Sequence, residues 1–375
     1  YMKDLDVELW KLGILAKTKH NEVAPAQHEL APIFTNTNIA TDQNQLVMET
    51  MKRVAQKHHM RCLLHEKPFD GINGSGKHNN WSMSTDTGMN LLDPGTTPAE
   101  NGQFMLFFAA VIAAVDEYQD LLRLSVASAG NDHRLGANEA PPAIVSVFVG
   151  EELEGVIEAL ERGEKYNGKG KNIMKLGVDT LPELPKDTTD RNRTSPFAFT
   201  GNKFEFRMVG SSFSLSGPNI VINTAVADVL REFADTLEKA SDFNAALHDL
   251  VVETIKKHRR IIFNGNNYSD EWKEEAARRG LSDLKNAAEA LPHFADEKNI
   301  ALHERMNVFT RREVVTRTEI MLENYSKTIV IEALTMSEMA KRDIYPAVKA
   351  YVKSLCASLE AEKEAGVDAG AAAEK

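Results

Sequence analysis

Lys203-Phe204-Glu205-Phe206-Arg207-Met208 alternates charged with apolar side chains, the two-residue period of a β-strand. Phe204, Phe206 and Met208 share one face and predict a buried layer. Lys203, Glu205 and Arg207 share the other. That second face reads in two ways. It is either a solvated stripe or a wall that offers an ammonium and a guanidinium to anions and a carboxylate to a metal. Just upstream, Arg191-Asn192-Arg193-Thr194-Ser195-Pro196 places more cations close by.

Three further polar stretches carry chemistry. In Asn21-Glu22-Val23-Ala24-Pro25-Ala26-Gln27-His28-Glu29, the alternation suggests a strand, but Pro25 forbids an ordinary central ladder. A regular strand would set Glu22 and Glu29 on opposite faces; a bulge or kink near Pro25 would bring both to one side. Two such carboxylates are either solvated surface groups or hard oxygen ligands for Mg²⁺ or Mn²⁺. In Glu66-Lys67-Pro68-Phe69-Asp70-Gly71-Ile72-Asn73-Gly74-Ser75-Gly76-Lys77-His78-Asn79-Asn80-Trp81-Ser82, three glycines allow a close backbone approach to a ligand. His78, Asn80 and Ser82 share a strand face, so an imidazole, an amide and a hydroxyl line up along one wall. The run lacks the spacing of a phosphate-binding P-loop. The third stretch is His133-Arg134-Leu135-Gly136-Ala137-Asn138-Glu139-Ala140-Pro141-Pro142.

Composition bounds the rest. The chain has 375 residues, is 42% hydrophobic and 26% charged, and carries Lys+Arg 44 against Asp+Glu 55, a net charge of −11. It is long enough to bury a large core. Its acidic balance argues against a nucleic-acid scaffold or an anionic-membrane binder. Cys62 and Cys356 supply neither a disulfide framework nor a zinc quartet, which fits a reducing cytoplasm. The apolar run 105–115 is too short to span a bilayer. The chain starts with Tyr and reads as a piece of a longer protein.

The coarse pattern predicts a helix over 41–59 capped by Asp42, a strand over 60–65, a buried helix over 103–127, and a strand over 143–149. A helix over 151–162 precedes a Gly/Lys/Pro-rich connection, 163–190, of the length expected for a flap, an insertion or a partner contact. Beyond residue 221 the chain reads as amphipathic helices over 225–240, 243–263, 270–279, 311–325 and 337–363.

Taken in order, Asn-Glu-Val-Ala-Pro-Ala-Gln-His-Glu, Asn-Gly-Ser-Gly-x-His-x-Asn-x-Ser, Arg-Leu-x-x-x-Glu-Ala-Pro, Asn-Arg-Thr-Ser and Phe-Glu-Phe-Arg resemble glutamine synthetase, and the 191–207 wording resembles its large type III form. The resemblance implies an α+β catalytic domain, an incomplete antiparallel β-barrel with surrounding helices, over 1–245 with an insertion at 150–190. A helical region over 246–375 follows. It implies a cytoplasmic homo-oligomer of hexameric rings stacked as a dodecamer, with sites at subunit boundaries. The substrates would be L-glutamate, ammonium and ATP, with Mg²⁺ or Mn²⁺, two or three per site. Carried over residue by residue, Glu22 and Glu29 match ligands of a first metal, and His78 and Glu205 match ligands of a second. Asn73 and Gly74 match positions that hold the amino acid; Arg134 and Arg207 match arginines that reach its carboxylate and the transferred phosphate. Asn80, Ser82 and Lys203 match nucleotide contacts, Lys203 standing where an arginine is usual. Glu139 matches the flap glutamate that takes the ammonium proton, and Arg193 the arginine that stabilises the phosphoryl group in flight. The resemblance also implies that a Glu-x-Glu strand and a small β-domain precede Tyr1 in the longer protein, that the C-terminal end is cut short, and that this piece alone is inactive. Rival readings are a γ-glutamyl-polyamine ligase on the same scaffold and an inactive regulatory paralogue.

Overall fold

The computed structural model describes residues 1–136, 138, 140–164, 166 and 192–366, and the backbone of 173–174 and 184–185. Contacts divide the chain into two units, Tyr1–Glu319 and Ile320–Lys375.

In the first unit, helix α1 (Met2–Lys11) leads into strands β1 (Ala16–Asn21) and β2 (His28–Pro32), which pair antiparallel with His20 opposite Glu29. The Asn21–Glu29 stretch is therefore a hairpin rather than one kinked strand. Pro25 lies in its turn, Ala26 adopts φ 56°, and Glu22 N–H donates to Gln27 O at 2.9 Å. Reversing the chain brings Glu22 and Glu29 to one side, which a bulge or kink near Pro25 was expected to do. Helix α2 (Thr37–Lys57) starts earlier than expected because Asn36, not Asp42, caps it: the Asn36 side chain accepts from Ile39 N at 3.0 Å. Val47 and Val54 of α2 pack on Leu5, Leu9 and Ile14. Residues 60–65 form no strand; they have no ladder partner, since β3 (Gly76–Trp81) pairs with another element.

The main sheet is four-stranded. Its remaining members are β4 (Val147–Phe148), β7 (Phe197–Phe199) and β8 (Phe204–Gly210), in the order β3-β8-β7-β4; short strands β5 (Ile173–Met174) and β6 (Leu184–Pro185) pair separately. Neighbours run antiparallel except β4 and β7, which are parallel. The sheet is open, and among the described residues no barrel closes. The strand expected over 143–149 shrinks to two residues, with an isolated bridge from Ile144 to Asp283 before it and another from Val147 itself to Ile262.

The alternation of β8 does what its sequence dictates. Phe204, Phe206 and Met208 are fully buried. Against them lies α3 (Gly102–Glu117), apolar nearly all round; Phe104 and Phe108 contact Phe199, and Phe108 stacks on Phe204 at 6.0 Å. Each such ring contributes on the order of 2 kcal/mol by leaving water. Short helices α4 (Gln119–Leu124) and α5 (Ala129–Arg134) follow α3, and α6 (Gly150–Arg162) follows β4. The helix expected over 103–127 is thus split at Tyr118. Helices α7 (Ser216–Leu237) and α8 (Phe243–His258) cover α3, and α9 (Asp270–Arg278), α10 (Ala287–Ala290) and α11 (Glu297–Arg305) complete the unit.

The second unit continues helix α12 (Arg311–Met339) through a π-helical stretch, Ala340–Ile344, into α13 (Tyr345–Glu364). Its described residues contain no buried side chain. No described helix is long and apolar enough to cross a membrane.

Candidate functional site

The hairpin and the loop before β3 meet where Gln27 Nε2 donates to Gly74 O at 3.0 Å. On the hairpin, the His20 ring bridges two acids: Nδ1 lies 3.2 Å from Glu22 Oε1 and Nε2 lies 3.4 Å from Glu29 Oε2. One ligating atom from each of the three falls within 4.8 Å of the others. Glu29 is pushed above the usual carboxylate range, first by its hydrogen bond with Glu22, then by burial and by the Glu22 charge, against the pull of His20 and His78. Two clustered carboxylates repel each other, and a cation between them would offset that repulsion. Oxygen donors with one imidazole fit Mg²⁺ or Mn²⁺.

His78 and Glu205 form the neighbouring pair. His78 sits where the β3–β8 register shifts between Lys77 and Asn79, and its Nδ1 lies 2.9 Å from Glu205 Oε1. The other oxygen of Glu205 accepts from Arg207 Nη2 at 2.7 Å and from Arg207 Nε at 3.2 Å. Burial alone would raise the Glu205 carboxyl; the His78 and Arg207 hydrogen bonds and charges outweigh it and hold the group at about 2. The charged face of β8 is therefore not a solvated stripe: Glu205 and Arg207 are both buried.

Asn73 and Gly74 lie half-buried in the loop before β3, while Asn80 and Ser82 stand exposed at its far end. Ser82 Oγ donates to Asn90 Oδ1 at 2.9 Å and to Asn202 O at 3.0 Å. That contact brings Ser82 to the 200–203 turn, where half-buried Lys203 accepts on its carbonyl from Thr200 N. Arg193 is exposed. Beside it, Asn192 O accepts from Arg207 Nη1 at 2.5 Å, which ties this segment to β8.

Arg134 is buried under the Gly-rich loop, with Nη1 donating to Asn131 Oδ1 at 3.2 Å and to the Met208 and Val209 carbonyls at 3.4 Å. Nη2 donates to Arg207 O at 3.2 Å. Burial lowers its guanidinium to about 10. The expected flap residue Glu139, and most of the 150–190 stretch beyond Glu164, lie outside the described residues.

Two residues that carry this geometry escape a reading by motif. One is His20, two positions before Glu22; its signal was the shared strand face. The other is Glu66, a buried carboxylate whose Oε1 accepts from Ser212 N at 3.0 Å and Ser212 Oγ at 2.5 Å.

Comparison with known proteins agrees with the motif order. Residues 1–145 match the family model described as glutamine synthetase, catalytic domain, and residues 246–363 match the one described as glutamine synthetase C-terminal domain. The chain is 54% identical over 366 residues to a glutamine synthetase of Butyrivibrio fibrisolvens, covering 97% of this chain and 52% of that one. It is 49% identical over 361 residues to a type-3 glutamine synthetase of Dictyostelium discoideum, covering 96% and 49%. The chain thus spans about half the length of these relatives. A solved GmaS/ADP complex shares the fold at TM-score 0.54 and 15% identity, covering 91% of this chain and 63% of that one. With both domain models matched in order and half the residues shared with named relatives, the chain belongs to the glutamine synthetase family.

Proposed function

We propose that the protein carrying this chain is an ATP-dependent ligase that joins ammonia to the γ-carboxylate of L-glutamate, releasing glutamine, ADP and phosphate. The observation that supports it most is the His20–Glu22–Glu29 cluster set beside the His78–Glu205 pair, where His78 acts on the Glu29 charge. Glu22 and Glu29 would hold one divalent cation and His78 with Glu205 a second, in a site of two or three. Bound there, Mg²⁺ or Mn²⁺ supplies positive charge against a phosphoryl group in transfer.

A γ-carboxylate is a poor acyl donor, so ATP first converts it to γ-glutamyl phosphate. Asn73 and Gly74 hold the amino acid, Asn80, Ser82 and Lys203 hold the nucleotide, and exposed Arg193 neutralises the phosphoryl oxygens. Glu139 accepts the ammonium proton, ammonia attacks the acyl carbon, and phosphate leaves. Keeping water away from that step protects the acyl phosphate. Family resemblance pairs Arg134 and Arg207 with substrate oxygens. Their bonds here add orienting roles: Arg207 fixes Glu205, and Arg134, bound to the Arg207 carbonyl, packs against Gly74. We assign the catalytic portion to 1–245, with 150–190 as an insertion, and a helical region to 246–375. A cytoplasmic, ring-forming homo-oligomer completes the reading, which rests there on family membership alone.

The test uses the full-length protein, supplied with glutamate and ATP and offered ammonium, methylamine or a polyamine in turn. Glutamine as the dominant product at equal acceptor concentration supports the proposal. A preference for an alkylated amine over ammonium would reassign the enzyme as a γ-glutamyl-amine ligase, and no γ-glutamyl product with any acceptor would fit an inactive paralogue.

A further inference from the structure

Beneath the loop 73–76 lies a buried charge cluster that no motif accounts for. Glu66 is 3% exposed, and the charge of its carboxylate favours the charged forms of both Lys77 and Arg134 against their burial. Lys77 donates to the Phe213 carbonyl and approaches Met48 Sδ at 3.2 Å. Arg134 has four acceptors, all uncharged. Within this cluster, then, Glu66 provides the negative charge.

The same residue grips the loop through its backbone, where Glu66 O accepts from Ser75 N at 2.8 Å. Glycines line the cluster because nothing larger fits. A Cβ at Gly74 would fall 2.7 Å from Glu66 O and 2.9 Å from Arg134 Cγ, and one at Gly76 would collide with the Arg134 guanidinium. Added carbons at Gly130 and Gly210 would collide with the two Glu66 oxygens. The strand end at Gly210, the helix residue Gly130 and the loop glycines Gly74 and Gly76 thus close around one carboxylate and one guanidinium. Ser212, just past β8, locks the carboxylate from its N–H and its hydroxyl.

We propose that Glu66 is a positioning residue for the amino-acid-binding loop: it touches no substrate, but its charge and its carbonyl hold Asn73 and Gly74 in the conformation that receives glutamate. This inference rests on the reading of Asn73 and Gly74 as the glutamate-holding positions. Buried cations deprived of their counter-charge relax by moving. Here Arg134 lies against Gly74 and Gly76, and Lys77 follows Gly76 directly in the chain, so the loop moves with them. Nothing in the cluster touches the Ser82–Asn202 end of the wall, so the nucleotide side should be spared.

The test uses the full-length protein with Glu66→Gln, which keeps size and one acceptor oxygen but removes the charge, and Glu66→Asp, which keeps the charge on a shorter stem. In Glu66→Gln, amide hydrogen exchange at 73–76 should quicken about tenfold while β7 and β8 keep their protection. The KM for glutamate should rise about tenfold with the KM for ATP within about twofold, and Glu66→Asp should recover part of both effects. Unchanged exchange and unchanged KM for glutamate would overturn the proposal. So would a uniform loosening that raises both KM values together, the mark of a merely structural residue. Where Glu66→Gln does not fold, Ser212→Ala removes one bond to the carboxylate and should show the same pattern at smaller amplitude; its absence there is equally decisive. A parent protein that makes no γ-glutamyl product refutes the functional reading, while the exchange measurement still decides whether Glu66 holds the loop.

Discussion

His78 Nδ1 lies 2.9 Å from Glu205 Oε1, although the β3–β8 register places Asn80, not His78, directly opposite Glu205. The shift in the ladder between Lys77 and Asn79 lets the imidazole reach its diagonal neighbour. One carboxylate thereby serves two elements: one oxygen faces the exposed His78, and the other pins buried Arg207.

Glu205→Gln should be costly on two independent scales. Arg207, 2% exposed at its side chain, would lose its ionic partner, which destabilises by about 3 kcal/mol. Urea unfolding at neutral pH measures this, and a loss below about 1 kcal/mol, the range of a surface pair, would show that the pair is solvated. Isothermal titration with Mn²⁺ on the same variant should show at least one high-affinity ion lost.

His303 sets an acid limit on the first unit. It is 1% exposed, neither ring nitrogen has a hydrogen-bond partner, and it is packed against Phe294 and Phe309 at 5.4 and 5.2 Å. Burial lowers it to about 4. The unfolded histidine binds a proton near pH 6.5 while the folded one resists until about 4, so stability is full above 6.5 and falls as pH drops through that window. Between pH 7.5 and pH 5 the loss from this group is about 2 kcal/mol. Comparing denaturant midpoints of parent and His303→Leu at both pH values checks it: the variant should lose less on acidification, and equal losses would place the acid sensitivity elsewhere.

How far the sequence foretold this structure depended on whether a signal was local. The β8 alternation and the apolar α3 were legible because each is set by its own side-chain period, and packing then joined Phe204 to Phe108 as that period requires. The Asn21–Glu29 stretch was legible as a carboxylate pair but not as a hairpin, since Pro25 is compatible with either a kink or a turn and only the pairing of His20 with Glu29 decides. Residues 60–65 carry strand-like side chains yet lack a neighbour, and a strand is a property of two segments. Glu66 was invisible for the opposite reason. A lone acid in a polar loop normally faces water, and its burial depends on Ser212, Arg134 and Lys77, none of them within ten positions of it.

Glu139→Ala, made in the full-length protein, should cripple glutamine formation while leaving nucleotide binding close to parental. Removing a general base typically costs about 10²–10⁴-fold in rate. An ammonium titration at saturating ATP and glutamate provides the measurement. Near-parental turnover across the titration would mean that Glu139 plays only a surface role.

The most direct test of the central claim, that the hairpin acids and the His78–Glu205 pair form one divalent-cation site for ammonia ligation, is the Mn²⁺ dependence of glutamine formation by the full-length protein and its Glu29→Gln variant. The account predicts no product after chelation, saturable recovery as Mn²⁺ is restored, and a Glu29→Gln activity reduced by about 10² or more across the whole titration. Product formation that survives chelation, or a Glu29→Gln curve that overlays the parent, would contradict it.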